Sequence, residues 1–269
     1  MVTLMASAKP VGALLREWRQ HRRLSQLELA CEAEVSTRHI SFMETSRSQP
    51  SREMILLLAE RLHVPLRARN TLLTAGGYAP VFPERRLDDP DLAAADTVIQ
   101  LVLRSHEPYP AIAIDRYWNL IAANQAIAPL LKDVDESLLT PPVNVLRLSL
   151  HAAGLAPRIL NFSEWRSHLL FRLQEQIEAT ADPILNSLYA ELMTYPAPGK
   201  KGSHRTVQRN DPASIAVPLR LQMPSGTVSM ISTTMVFGTP LDVTLSEIAI
   251  ECFFPAEEAS AAILRSLSS

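Results

Sequence analysis

The sequence predicts two folded units in one chain. Residues 1–78 form an all-α bundle of short helices, residues 79–92 a linker, and residues 93–269 an α+β domain with an antiparallel sheet. Three observations predict this. Apolar residues recur at helical spacing through 10–75, in runs broken every ten residues or so. The stretch "GGYAPVFPERRLDDPDL" at 76–92 is rich in Pro, Gly and charge, as connections are. The last third alternates apolar and polar residues with period two, the pattern of half-buried strands.

Bulk properties narrow the function. Of the 269 residues 47% are hydrophobic, which excludes wholesale disorder. A net charge of −2 hides an asymmetry. Residues 1–80 hold 11 Lys and Arg against 7 Asp and Glu, whereas 81–269 hold 15 against 21. Only the amino-terminal unit has the sign that a polyanion attracts. Ten of its 11 basic residues are Arg, the side chain suited to bidentate phosphate and guanine contacts. Cys31 and Cys252 are far apart, form no CxxC, and fit a reducing cytoplasm. Neither a signal peptide nor a membrane span is expected, since no apolar run is long enough.

The helices follow in order. The first covers roughly 10–22, with Leu14, Leu15 and Trp18 on one stripe. Ser25 opens the second, with Glu28 three residues on as a capping box, and it runs to about Ala33. Ser36 opens the third, which runs to about Thr45. Ser51 opens the fourth, which ends near Leu62, and Pro65 starts the fifth. Such short helices need mutual packing to persist.

The stretch "SQLELACEAEVSTRHISFMETSRSQPS" at 25–51 carries few large apolar residues. Two short helices joined by a tight turn, with small Ala30 where they cross, is a helix-turn-helix arrangement. Val35, Ile40 and Met43 face inward, leaving Thr37, Arg38, Ser41 and Phe42 outward on the recognition helix. Arg38 can read guanine, and Phe42 can touch a thymine methyl or pack under the loop at 46–50. Ser36, His39 and Arg47 lie at the rim, and Gln26 opens the second helix, where amides meet phosphate. The segments "LSQLELA", "VSTRHISFME" and "RSQPS" resemble the phage-repressor type of helix-turn-helix, the bacterial regulators named after Xre and the lambdoid repressors. That resemblance implies double-stranded operator DNA as partner, a homodimer, and an ion pair between Arg19 and Glu44. Glu34 and Ser46 stand where that family commonly has Gly; a positive φ at Glu34 would cost about 1 kcal/mol.

Beyond the linker, a helix is expected at about 90–104, strands at 111–115 and 118–122 around a turn at Asp115–Arg116, and a short helix opened by Asn124. A helical stretch spans 144–194, and strands are expected at 214–222, 226–237 and 243–254, with the middle helices over one sheet face. "AIAIDRYWNLIAANQAIAPLL", "RLSLHAAGLAPRILNFSEW", "ELMTYP" and "FGTPLDVTLSEIAIECFFPAE" resemble the PAS-like ligand-binding domain of MmyB-like transcription regulators. His151-Ala152-Ala153 departs from the family's His-Pro at that point. The resemblance implies a small apolar effector such as a fatty acid, with no other cofactor. Candidate lining residues are Trp118, Phe162, Trp165 and Leu169, with Leu219, Leu221, Ile231, Met235, Ile250 and Cys252 from the strands. Phe171 is expected to face the same core, and Asn161 and His151 are candidate head-group contacts. Each of these apolar residues also suits an ordinary filled core, in which case the domain only dimerises or docks a partner.

Enzyme chemistry finds no motif. The seven His form no HxH, HxxxH or HExxH, and there is no GxSxG elbow or phosphate-binding glycine loop. Cys31 and Cys252 are expected to be core-facing and inert, and the basic "GKKGSHR" at 199–205 to be a solvated loop.

Overall fold

The computed structural model describes residues 9–198 and 216–267. Its first unit, made mainly of residues up to Arg85, opens with α1 (Val11–His21), α2 (Gln26–Glu32), α3 (Thr37–Glu44), α4 (Arg52–Arg61) and α5 (Leu66–Ala75). Three of these helices begin at serines whose hydroxyls accept a backbone N–H: Ser25 from Glu28, Ser36 from His39 and Ser51 from Met54. The Glu28 carboxylate returns the bond to the Ser25 amide at 2.6 Å, which completes the capping box.

The helix ends share one device. After α1 to α4 the chain turns through a left-handed residue that is not glycine: Arg23, Glu34, Ser46 and His63, with φ of 58°, 55°, 57° and 48°. The next amide then bonds back to a carbonyl in the last turn, as Val35 does to Ala30 and Arg47 to Phe42. This is the Schellman closure, and only the one after α5 uses glycine, Gly77. The closures keep the helices short and let Leu15, Leu29, Ile40, Met43, Ile55, Leu58 and Leu72 share one core. At Gly12 the α1 backbone meets α3 so closely that an added Cβ would lie 2.0 Å from the Met43 carbonyl oxygen.

The second unit runs mainly from Arg86 onward. It contains α6 (Ala93–Ser105), β1 (Ala111–Ile114), β2 (Leu120–Ala123), α7 (Glu136–Leu139), α8 (Val145–Leu150), α9 (Phe162–Thr180) and α10 (Pro183–Met193). Then follow β3 (Leu219–Met223), β4 (Gly226–Val236), α11 (Val243–Ser246), β5 (Ala249–Pro255) and α12 (Glu258–Leu267). The five strands form one antiparallel sheet in the order β2-β1-β5-β4-β3, a PAS-like arrangement.

Three expectations need correction. The middle helices cover one sheet face, but α6 covers the other, where Ile99 and Leu103 pack on Ala111, Ala113, Ile250 and Cys252. All four residues of β1 are therefore buried. The strand expected at 118–122 starts only at Leu120, because the Asp115 carboxylate accepts the amides of Tyr117 and Asn119, both at 2.8 Å, and holds the turn open. Within that turn Trp118 has φ 64°. The strand expected over 243–254 begins at Ala249, after the helical turn α11, because the apolar alternation itself starts only at Ile248. Asn124 does open a short helix, the 3-10 helix Gln125–Leu131, but its side chain makes no cap bond to it. Its amide ties Leu103 and Tyr109 carbonyls to the Ala111 amide, joining the end of α6 to β1. Residues 214 and 215 of the expected third strand and the basic stretch 199–205 lie outside the described residues.

Candidate functional site

Two places carry unusual chemistry, one in each unit. In the first unit, α3 buries Ile40, Met43 and Glu44 and turns its remaining surface outward. Arg38, His39, Ser36 and Arg47 are exposed, and Thr37, Ser41 and Phe42 are half-buried. The Ser36 hydroxyl is occupied as the cap of α3. The guanidinium groups of Arg38 and Arg47 lie 5.0 and 5.9 Å from the Phe42 ring centre. Phe42 therefore lies between two cations, a contact favoured by the ring's negative face.

Behind this surface sits a buried network. Arg19 donates to Glu44 through Nε (2.6 Å) and Nη2 (2.9 Å), and through Nη1 to the Leu24 carbonyl (2.7 Å). Gln26 Nε2 donates to the same Glu44 Oε2 at 2.8 Å. The side chain of Gln26 thus links the start of α2 to the end of α3 before any contact with phosphate. Burial pushes the Glu44 carboxyl upward, but the bonds from Arg19 and Gln26 outweigh that and hold it below its ordinary value. Cys31, expected in the core, is exposed on α2, since the helix buries only Leu29 and Ala30.

In the second unit a cavity of about 100 Å³ lies between the sheet and the helices α8 and α9. Trp118, Trp165, Leu169, Leu219 and Leu221 line it, together with Ile112, Leu146, Leu148, Met230 and Phe253. Trp165 Nε1 donates to Ser149 Oγ at 3.0 Å, so the indole is satisfied inside the wall. Successive turns of α9 present Trp165, Leu169 and Arg172 to the space. Opposite, β5 contributes Glu251 and Phe253, and β4 contributes Met230 and Ser232.

The register separates the other candidates from this cavity. Ile231, Met235, Ile250 and Cys252 are paired across the strands with Phe254, Ile250, Met235 and Thr233, on the opposite face. Ile250 and Cys252 pack under α6, and Met235 is 42% exposed. At β1 and at Ile250–Cys252 of β5 the sheet is buried on both faces, and there Ile250 and Cys252 face the filled side while Glu251 faces the hollow one. Phe162 is buried but does not line the cavity, and Phe171 is 61% exposed. Asn161 is used elsewhere: it accepts the Arg220 amide and donates to the Pro218 carbonyl. The His151 ring accepts the Ala153 amide and packs edge-on against Tyr195. Arg172 and Glu251 are legible in no motif, because a charged residue on a helix or on an alternating strand reads as solvent-facing.

A model of the MmyB-like transcription regulator ligand binding domain matches residues 95–267. The chain belongs to this family. A helix-turn-helix model matches residues 15–68. The two together make the chain a DNA-binding transcription regulator with a ligand-binding domain, and neither model describes an enzyme. No curated protein matches it. Among solved structures, it is similar to one described as "Structure of an RNA-binding Light-Oxygen-Voltage Receptor", with 13% identity and a TM-score of 0.26. That alignment covers 96% of this chain and 62% of the other, so the chain spans less than two thirds of that receptor's length. Among the described residues no helix is long and apolar enough to cross a membrane, and no group of His, Cys, Asp or Glu could hold a metal ion.

Proposed function

We propose that this family member is a one-component regulator that binds a specific operator through α3 and answers to a small apolar effector held in its second unit. The observation that carries the DNA reading is the outward surface of Thr37, Arg38, Ser41 and Phe42 over a buried Arg19–Glu44–Gln26 network. Arg38 reads guanine, Thr37 and Ser41 bond bases or phosphates, and His39, Arg47 and Ser36 flank the backbone. The amide end of Gln26, fixed by Glu44, positions the start of α2 near a phosphate. The protein acts as a homodimer on two half-sites in the cytoplasm, where the DNA is. An effector shifts this equilibrium only by preferring one arrangement of the dimer.

The apolar cavity supports the effector reading. Its volume of about 100 Å³ is several times the roughly 10–15 Å³ that one water needs. A second reading has one observation in its favour. Drug-sized sites usually offer roughly 300–1,000 Å³, so a domain that only dimerises or docks a partner would also leave a space this small. Native mass spectrometry of the chain purified from its own host, before and after solvent extraction, separates the two. A dimer carrying an extractable apolar mass is the expected result. A bare dimer whose operator affinity is unmoved by added apolar compounds would leave only the docking reading.

A further inference from the structure

The cavity wall is apolar apart from the hydroxyls of Ser149 and Ser232 and one charged place. Among its described lining residues the charged side chains are Arg172 and Glu251. Arg172 Nη2 donates to Glu251 Oε1 at 2.5 Å, and Nη1 to Oε2 at 3.2 Å. Thr234 Oγ1 accepts a further N–H from Arg172 and donates to Glu251 Oε1 at 2.8 Å. The Glu251 side chain is 4% exposed, and the guanidinium lies 5.0 Å from the centre of the Trp118 ring. Trp118 is held there by a left-handed turn, an arrangement a bulky residue adopts only when its surroundings impose it. Nearby, His168 packs against Trp165; burial and the Arg172 charge push its imidazole below the ordinary value, so it adds no cation at neutral pH.

The wall therefore offers a donor and an acceptor side by side, with no net charge. A ligand carboxylate at Arg172 would have to share the one cation with the buried Glu251 carboxylate, and the two like charges would repel. A hydroxyl or a primary amide has both a hydrogen to give and a lone pair to accept with. It can bond Glu251 and Arg172 together without breaking the pair. We infer that the cavity selects an uncharged amphiphile, an apolar body ending in a hydroxyl or amide, over the carboxylate of the same length. The inference rests on the effector reading and narrows it, since that reading by itself admits a fatty acid.

The test uses the full-length chain and three octyl probes: 1-octanol, octanamide and octanoate. Isothermal titration at about pH 8 keeps the octanoate ionised. The alcohol and the amide are expected to bind at least about tenfold tighter than octanoate, the order of one charge-assisted hydrogen bond. Glu251→Gln is expected to narrow or reverse that ratio, because Arg172 then lacks its internal counter-charge. Octanoate binding as tightly as octanol to the unaltered chain would overturn the inference and leave the effector reading standing. An unchanged ratio in a folded Glu251→Gln protein would overturn the role given to Glu251. If none of the three probes binds, the effector reading fails first and this inference with it. Should Glu251→Gln not fold, the ratio on the unaltered chain decides alone.

Discussion

Each unit contains an Arg–Glu pair whose carboxylate is buried, and the two pairs have different surroundings. Arg19 and Glu44 are 8% and 7% exposed, packed in the helical core, with Gln26 and the Leu24 carbonyl taking up further bonding capacity. Arg172 and Glu251 stand at the edge of a space, with the Arg172 side chain still 23% exposed. The same chemistry is a lock in the first unit and a selective wall in the second. What differs is whether anything else can enter the hydrogen-bond set. In the first unit protein groups fill it, with Gln26 and the Leu24 carbonyl beside the pair, and in the second the pair faces a cavity.

Substitution sharpens this contrast. The largest effect is expected for Glu44→Ala, which strands a buried guanidinium and should lower stability by about 3–5 kcal/mol in urea unfolding. That contribution depends on pH with a definite sign. The folded Glu44 carboxyl sits below its ordinary value, so its stabilisation is present above about pH 4.3 and is lost as pH falls through the folded value. The gap between the unaltered chain and Glu44→Ala should therefore shrink in acid. Next comes Arg38→Ala, which leaves the fold intact and should cost about 1–3 kcal/mol of discrimination at one base pair in competition binding. Glu251→Gln should cost less stability than Glu44→Ala, about 1–2 kcal/mol, because Arg172 retains Thr234 and reaches solvent. Equal losses for the two Glu variants would erase the distinction between lock and wall. The smallest change is Glu34→Gly, which relieves a left-handed φ of 55° and should raise stability by up to about 1 kcal/mol in thermal melts.

The helical unit was readable because its signals are local. Ser25, Ser36 and Ser51 announce helix starts by chemistry within three residues, and Glu34 stands where the turn needs a positive φ. Arg23 and His63 take the same conformation with no signal, since neither residue type advertises it. Gly12 was silent too: a lone helical glycine looks weak until the Met43 carbonyl is found against it. The sheet unit was readable in its strands and its cover of helices, but not in its hollow face. Ile250 and Cys252 alternate with Glu251 and Phe253, and alternation names two faces without saying which one packs solidly. Only pairing with β1 and α6 decides that, and pairing is a long-range fact. Trp165 and Leu169 were found because a helix has one apolar stripe; Arg172 continues the same stripe as a charge and was missed.

The central claim is that α3 reads a specific duplex. Its most direct test is selection of sites from a random duplex pool by the full chain, followed by affinity measurements at fixed salt. A preferred two-fold site is expected, bound about a thousandfold or more over random duplex, with the preference relaxed at one position per half-site in Arg38→Ala. A chain that binds all duplexes alike, or whose selected site is read equally well by Arg38→Ala, would contradict the account.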